Sequence, residues 1–214
     1  MSALHYVERP ARGTAHGLLV LHHGRGTDEQ DLLRLADHLD PARRLHVVSP
    51  RGPLTLPGAP GYHWYLVPRV GYPDPETFAA AQRALAELHE ELWQSTGLTA
   101  ERTVLGGFSM GCVMSYATGL DRERPAPAGI LGFSGFIPEV PGWVPALEER
   151  RGLPVFVTHG TLDQVISVEF ARAAAERMLA AGLDVEYREF EGSHHIDPRD
   201  LPVAAAWLER VLGS

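Results

Sequence analysis

Five short apolar runs, separated by helix-patterned stretches, restrict this chain to one broad class of fold. Gly17–His22, with Leu18, Leu19, Val20 and Leu21 in succession, lacks the alternation of a strand that faces water on one side. The runs 45–48, 103–105, 130–133 and 155–158 read the same way, so each predicts a strand buried on both faces. Residues 185–190 alternate apolar and charged side chains, as suits a strand nearer the sheet edge, and 4–7 supply a further strand. Between them lie helices. Asp74 before Pro75 is a start signal for a helix with Phe78, Leu85, Leu88 and Leu92 along one face. Ser167 caps another that ends with Gly182 in the C′ position. Asp197-Pro198 begins the last, which buries Leu201, Ala205, Leu208 and Leu212, and residues 28–39 form one more helix. Strands alternating with helices make an α/β protein: a mostly parallel central sheet of about seven strands with helices on both faces.

The length, 214 residues, is that of one domain spanning 1–214, enough to bury roughly 70% of the unfolded chain's surface. The Gly- and Pro-rich stretch 52–72 reads as a long structured loop, and loops of that length in compact domains tend to be functional. A formal charge of −8 excludes a polyanion partner such as nucleic acid. No segment approaches the roughly 18 apolar residues of a membrane span, and residues 1–12 do not form a secretory signal. Cys112 is the only cysteine, which forbids an internal disulfide and fits the cytoplasm. The chain contains neither Lys nor Asn, so Schiff-base and phosphate-loop-lysine chemistry are excluded.

The chemistry concentrates at Gly107-Phe108-Ser109-Met110-Gly111, directly after the run 103–105 and before a helix carrying Val113, Met114 and Ala117. Strand, tight turn and helix in that order hold a serine in a strained conformation with its hydroxyl exposed at the carboxyl end of the sheet. The flanking glycines are needed where the two backbones pass too closely for a Cβ. Gly132-Phe133-Ser134-Gly135-Phe136 is a near-copy, but Phe136 stands where the second glycine belongs, so Ser134 reads as a structural or pocket-edge residue.

A serine nucleophile needs a base, and the base an orienting acid. The run 155–158 leads into His159-Gly160, and Asp163 follows; the strand 185–190 leads into Glu191-Gly192-Ser193-His194-His195. Ser109, Asp163 and His194 thus occur in the Ser…Asp…His order of α/β-hydrolases, each at the end of a different strand. His194 is preferred over its neighbour His195, and His159 is expected to pack beside the strand end. The oxyanion donors are the amides of Met110 and of Arg25, in the loop His22-His23-Gly24-Arg25-Gly26-Thr27-Asp28. The Arg25 side chain is expected to pair with a surface carboxylate; attraction of an acidic substrate is the other reading. The paired histidines lack any metal-ligand spacing, so no metal site is expected.

These pieces, His23-Gly24-Arg25-Gly26, Arg51-Gly52-Pro53, Gly107 to Gly111, His159-Gly160-Thr161-Leu162-Asp163 and Ser193-His194, resemble the phospholipase/carboxylesterase group of α/β-hydrolases, which includes acyl-protein thioesterases. The resemblance implies a minimal, lidless hydrolase fold and a serine esterase that uses no cofactor, with Ser109 as nucleophile, Asp163 as acid, His194 as base, and Arg25 and Met110 at the oxyanion hole. The stretch Gly61-Tyr62-His63-Trp64-Tyr65 is similar to the group's substrate-side loop. Met110 stands where the group commonly has Gln, which leaves the amide but makes the pocket floor more apolar; Ser193 replaces a Gly or Met. The short connection 134–154 leaves no room for a cap domain. Gly24, Trp64, Tyr65, Val165 and Ile166 are the candidate walls for a short or medium acyl chain. The expected substrate is a small-molecule carboxylic ester, with an acyl-protein or small-molecule thioester as the alternative, and a non-catalytic ligand-binding protein of the same fold as the reading from another class. Monomer and homodimer are both compatible with the sequence.

Overall fold

A computed structural model describes residues 4–213. Among these residues the chain forms seven strands and six α-helices. They run β1 (Tyr6–Arg9), β2 (Gly17–His22), α1 (Gln30–Leu33), α2 (Ala36–Leu39), β3 (Leu45–Pro50), α3 (Pro75–Thr96), β4 (Thr103–Phe108), α4 (Met110–Gly119), β5 (Gly129–Phe133), β6 (Pro154–Gly160), α5 (Val168–Ala180), β7 (Asp184–Phe190) and α6 (Leu201–Leu212). The strands form one sheet in the order β1-β3-β2-β4-β5-β6-β7, parallel except for β1, which runs antiparallel to β3.

Both faces are covered because the interior strands are apolar on both. Leu18 and Val20 of β2, Val48 of β3 and Leu105 of β4 face α3 and α4, which contribute Phe78, Leu85, Leu88, Val113 and Ala117. The alternate residues Leu19, Leu21, Val47, Val104 and Phe156 face the opposite layer, where α1, α2 and α6 contribute Leu32, Leu39, Trp207 and Leu208. Val155 and Val157 pack with Ala174 and Met178 of α5. β7 lies at the sheet edge and is largely open to solvent until Phe190, as its alternating sequence requires.

The start signals act as read for two helices. The Asp74 carboxylate accepts the Thr77 amide at 3.0 Å, with Pro75 in the first turn of α3. Ser167 caps α5, and Gly182 follows it with φ +86°. Three expectations shift. Residues 28–39 form two four-residue helices, because the ladder switches to three-residue steps, Leu35 N–H to Leu32 O and His38 N–H to Leu35 O, both at 2.9 Å. The last helix begins at Leu201 rather than at Pro198: Asp197 instead folds a turn, its carboxylate accepting the Arg199 amide at 2.9 Å and its carbonyl accepting the Asp200 amide at 3.0 Å. The first strand lies at Tyr6–Arg9, two residues later than read, because Leu4 is drawn into the core.

The register brings the site to one edge. His22 lies opposite Gly107, Phe108 opposite Phe133, Phe133 opposite Thr158, and Gly160 opposite Phe190. Whatever follows these strand ends therefore meets along a single rim. The connection 134–153 holds only a bridge between Val140 and Trp143 and one 3₁₀ turn, so no cap domain covers that rim.

Candidate active site

Ser109 joins β4 to α4 with φ 56° and ψ −119°, a left-handed conformation that costs a residue with a Cβ about 1–3 kcal/mol. The surroundings enforce it. A Cβ on Gly107 would lie 2.4 Å from the Gly111 backbone, and one on Gly111 would lie 1.9 Å from the His22 carbonyl oxygen. These glycines let α4 start immediately beside β4 and β2, and the Ser109 amide is secured to the Phe133 carbonyl at 2.9 Å. Ser134, in the near-copy motif, also has positive φ, 51°, but is buried with its hydroxyl unpaired, and a Cβ on Gly135 would lie 2.5 Å from the Cys112 side chain.

The three candidate side chains meet as a relay. The Ser109 Oγ lies 2.8 Å from Nε2 of His194, and Nδ1 of His194 lies 2.6 Å from Oδ2 of Asp163. A carboxylate only accepts, so Nδ1 carries the proton and Nε2 is left to accept from the serine. The other carboxylate oxygen, Oδ1, accepts the amides of Val165 at 2.8 Å and Ile166 at 2.9 Å. Burial pushes the Asp163 carboxyl up, but the Ile166 amide, His194 and the Val165 amide outweigh it and hold the group below its ordinary range. Phe108 lies against the His194 ring with centroids 4.8 Å apart. His195 turns away, its Nδ1 3.4 Å from the Ser193 hydroxyl and its ring edge-on to Phe190.

His159, expected only to pack beside the strand end, reaches further. It is fully buried, and its Nε2–H donates to the Ile166 carbonyl at 2.8 Å while standing 3.1 Å from Oδ2 of Asp163. Burial lowers its pKa, which keeps the ring neutral.

A cavity of about 250 Å³ opens over Ser109. Gly24, Arg25, Met110 and His194 border it, and its walls include Tyr65, Val67, Val70, Phe136, Val165 and Ile166. Met110 opens α4, where first-turn amides lack intrahelical acceptors. The loop bearing Gly24 and Arg25 is braced from behind. His23 donates from Nδ1 to the Gly24 carbonyl at 2.7 Å and accepts the Gly52 amide at Nε2 at 2.9 Å. That contact joins the His23-Gly24 and Arg51-Gly52-Pro53 segments, and a Cβ on Gly52 would lie 2.7 Å from the His63 carbonyl oxygen, so the His63 segment closes over the same point.

Two expectations change here. Trp64 does not border the cavity; it is fully buried and donates its indole N–H to the His23 carbonyl at 2.9 Å, so it anchors the loop. The Arg25 side chain has no carboxylate partner among the described residues, while two acids close to it in sequence have partners of their own: Glu29 pairs with Arg51 at 2.5 and 2.6 Å, and Asp28 accepts the Gln30 amide at 2.9 Å. Sequence reasoning did not find Val67, Val70 or Phe136. The long loop offered no periodicity to mark the first two. The signal for Phe136 was Gly135, whose lack of a side chain lets the chain hug α4 and swing Phe136 to the rim.

Known proteins share this arrangement of elements. The crystal structure of esterase PE8 is 31% identical and superposes with a TM-score of 0.82 over 98% of this chain and 99% of that one. A carboxylesterase of Bacillus cereus, 23% identical, has the same fold with a TM-score of 0.84, covering 98% of this chain and 95% of its own. Acyl-protein thioesterase 1 of Yarrowia lipolytica is 27% identical over 95% of each chain. The sequence profile of the Phospholipase/Carboxylesterase family matches residues 5–212, and this chain belongs to that family of α/β-hydrolases.

Proposed function

We propose that this protein is a serine hydrolase that cleaves carboxylic esters of short to medium acyl chains through an acyl-Ser109 intermediate. The observation that carries the reading is the unbroken relay from Ser109 Oγ through His194 to Asp163, at 2.8 and 2.6 Å, at the mouth of an apolar cavity. As Oγ attacks the ester carbonyl, His194 Nε2 takes the serine proton, and the negative charge on the carbonyl oxygen is met by the amides of Arg25 and Met110. The imidazolium is held by Asp163, and its Nε2–H then protonates the leaving alcohol as the carbon–oxygen bond breaks. Water repeats the sequence in reverse roles: His194 removes its proton, the acyl group leaves as a carboxylic acid, and Ser109 regains its hydrogen.

Tyr65, Met110, Phe136 and Ile166 are buried behind the serine and give the acyl chain its apolar bed. A thioester fits the same machinery, and the family resemblance to acyl-protein thioesterases keeps it as the second substrate class. Cys112 is the only cysteine and is fully buried, so the fold uses no internal disulfide, which suits a reducing cytoplasm. The test is an acyl-length series of matched oxygen esters and thioesters, paired with labelling by a fluorophosphonate. Turnover of oxygen esters that peaks at short to medium chains, with label on Ser109, supports the reading; absence of both label and turnover leaves a binding protein.

A further inference from the structure

Arg25 stands apart from the other charged groups around the site. Acidic residues outnumber arginines in the chain, 27 to 19, and ion pairs engage Arg51, Arg172, Arg188 and Arg199 near the same sheet edge. Arg25 is exposed, has no such partner among the described residues, and is the one permanently charged side chain on the cavity border there. Its position is not that of a loose surface residue. The neighbouring Gly26 amide donates to the Tyr62 carbonyl at 2.9 Å, the Thr27 hydroxyl donates to the Gly24 carbonyl at 3.0 Å, and Gly26 turns with φ +77°.

The cavity is therefore polarised. Its depth is apolar and buried, and its mouth carries one unpaired cation. An acyl chain gains by lying inward against the apolar residues, which leaves the leaving group at the mouth. A guanidinium presents a planar fork of donors suited to carboxylate or phosphate oxygens.

We propose that Arg25 selects esters whose leaving alcohol or thiol bears an anionic group. The proposal rests on the serine-hydrolase reading and adds the substrate class to it. In a molecule of net charge −8, a cation at the cavity mouth offsets the repulsion that an anion meets on approach to Ser109.

The experiment compares kcat/KM for 3-carboxyphenyl butanoate and 3-carbamoylphenyl butanoate, matched in size and acyl chain. The native protein is expected to favour the carboxylate by about tenfold, the scale of one charge-assisted hydrogen bond near solvent, and added salt narrows the ratio. Arg25→Gln brings the ratio to about one, and Arg25→Glu inverts it, whatever either substitution does to the absolute rates. Equal turnover of the two esters by the native protein, or a ratio unchanged in Arg25→Gln, overturns the role of Arg25 while the esterase reading stands. No turnover of either ester, with no fluorophosphonate label on Ser109, overturns both.

Discussion

The imidazole of His159 stands 3.1 Å from Oδ2 of Asp163, the same oxygen that holds His194 at 2.6 Å. One carboxylate thus lies between two histidines, one buried and one partly open to the cavity. The Ile166 segment closes the arrangement, giving its amide to Asp163 and its carbonyl to His159. His159→Leu leaves that carbonyl without a donor and removes the ring that stands against Oδ2 of Asp163. It is expected to lower kcat about tenfold with little change in KM, because a small displacement of the acid misaligns the base. His159→Gln, which restores a donor near the position of Nε2, recovers most of that loss. Equal losses in the two variants, following their thermal stability alone, would mean that His159 is only a packing residue.

The relay itself makes a sharper set of expectations. Ser109→Ala abolishes turnover of p-nitrophenyl butanoate. Asp163→Asn lowers kcat by about 10⁴-fold, by analogy with serine proteases, since the amide favours the wrong tautomer. His194→Ala inactivates, whereas His195→Ala retains most activity because its ring faces Phe190 rather than Ser109. Steady-state rates on one activated ester check all four, and the opposite ranking of the two histidines sinks the assignment.

Gly111→Ala tests the turn. The added methyl would stand 1.9 Å from the His22 carbonyl oxygen and 2.6 Å from that of His23, both backbone atoms with nowhere to go. The clash forces α4 away from β2, and a loss of about 4 kcal/mol or more is expected, in the range of severe core disruption. Urea denaturation, or failure to obtain folded protein by circular dichroism, reads this out. Gly142→Ala is the control: its neighbourhood is empty, and only its φ of +86° is strained.

Acid stability follows from two buried rings. Burial, with the neighbouring His89 and His23, keeps His22 neutral well below 6.5; burial, with Arg124, holds His89 at about 3. The unfolded chain takes up these protons below about pH 6.5 while the fold refuses them. Stability is therefore flat above that pH and falls as pH drops below it, by up to about 1.4 kcal/mol per unit for each ring. His89→Leu also removes a buried, unpaired Nε2, and is expected to give a shallower decline in urea midpoints between pH 7 and 5. A slope equal to that of the native protein would show that His89 binds its proton inside the fold.

The proposed acyl site predicts that the cavity wall sets chain length. Phe136→Ala removes a buried ring from the border of the 250 Å³ space and should shift the preferred acyl chain to longer homologues, with discrimination per methylene of roughly tenfold or more. An acyl-length series with an unmoved optimum would place the chain elsewhere.

The chain's own pattern determined the layered α/β architecture and the order of its strands' chemistry, because double-sided burial and helix caps are local properties written in runs of a few residues. Leu18 to Leu21 read as a covered strand, and Gly107 and Gly111 around Ser109 as a turn too tight for side chains. Ser109, Asp163 and His194 were legible as candidates for the same reason: each follows a strand, and parallel strands deliver their ends to one edge. Distance was not legible. That Trp64 anchors a loop instead of lining a wall, that His159 stands against the acid and that Arg25 has no ion-pair partner among the described residues all depend on which segments fold across one another. Such contacts join residues tens of positions apart, and only the assembled sheet, with its register and covering loops, decides them.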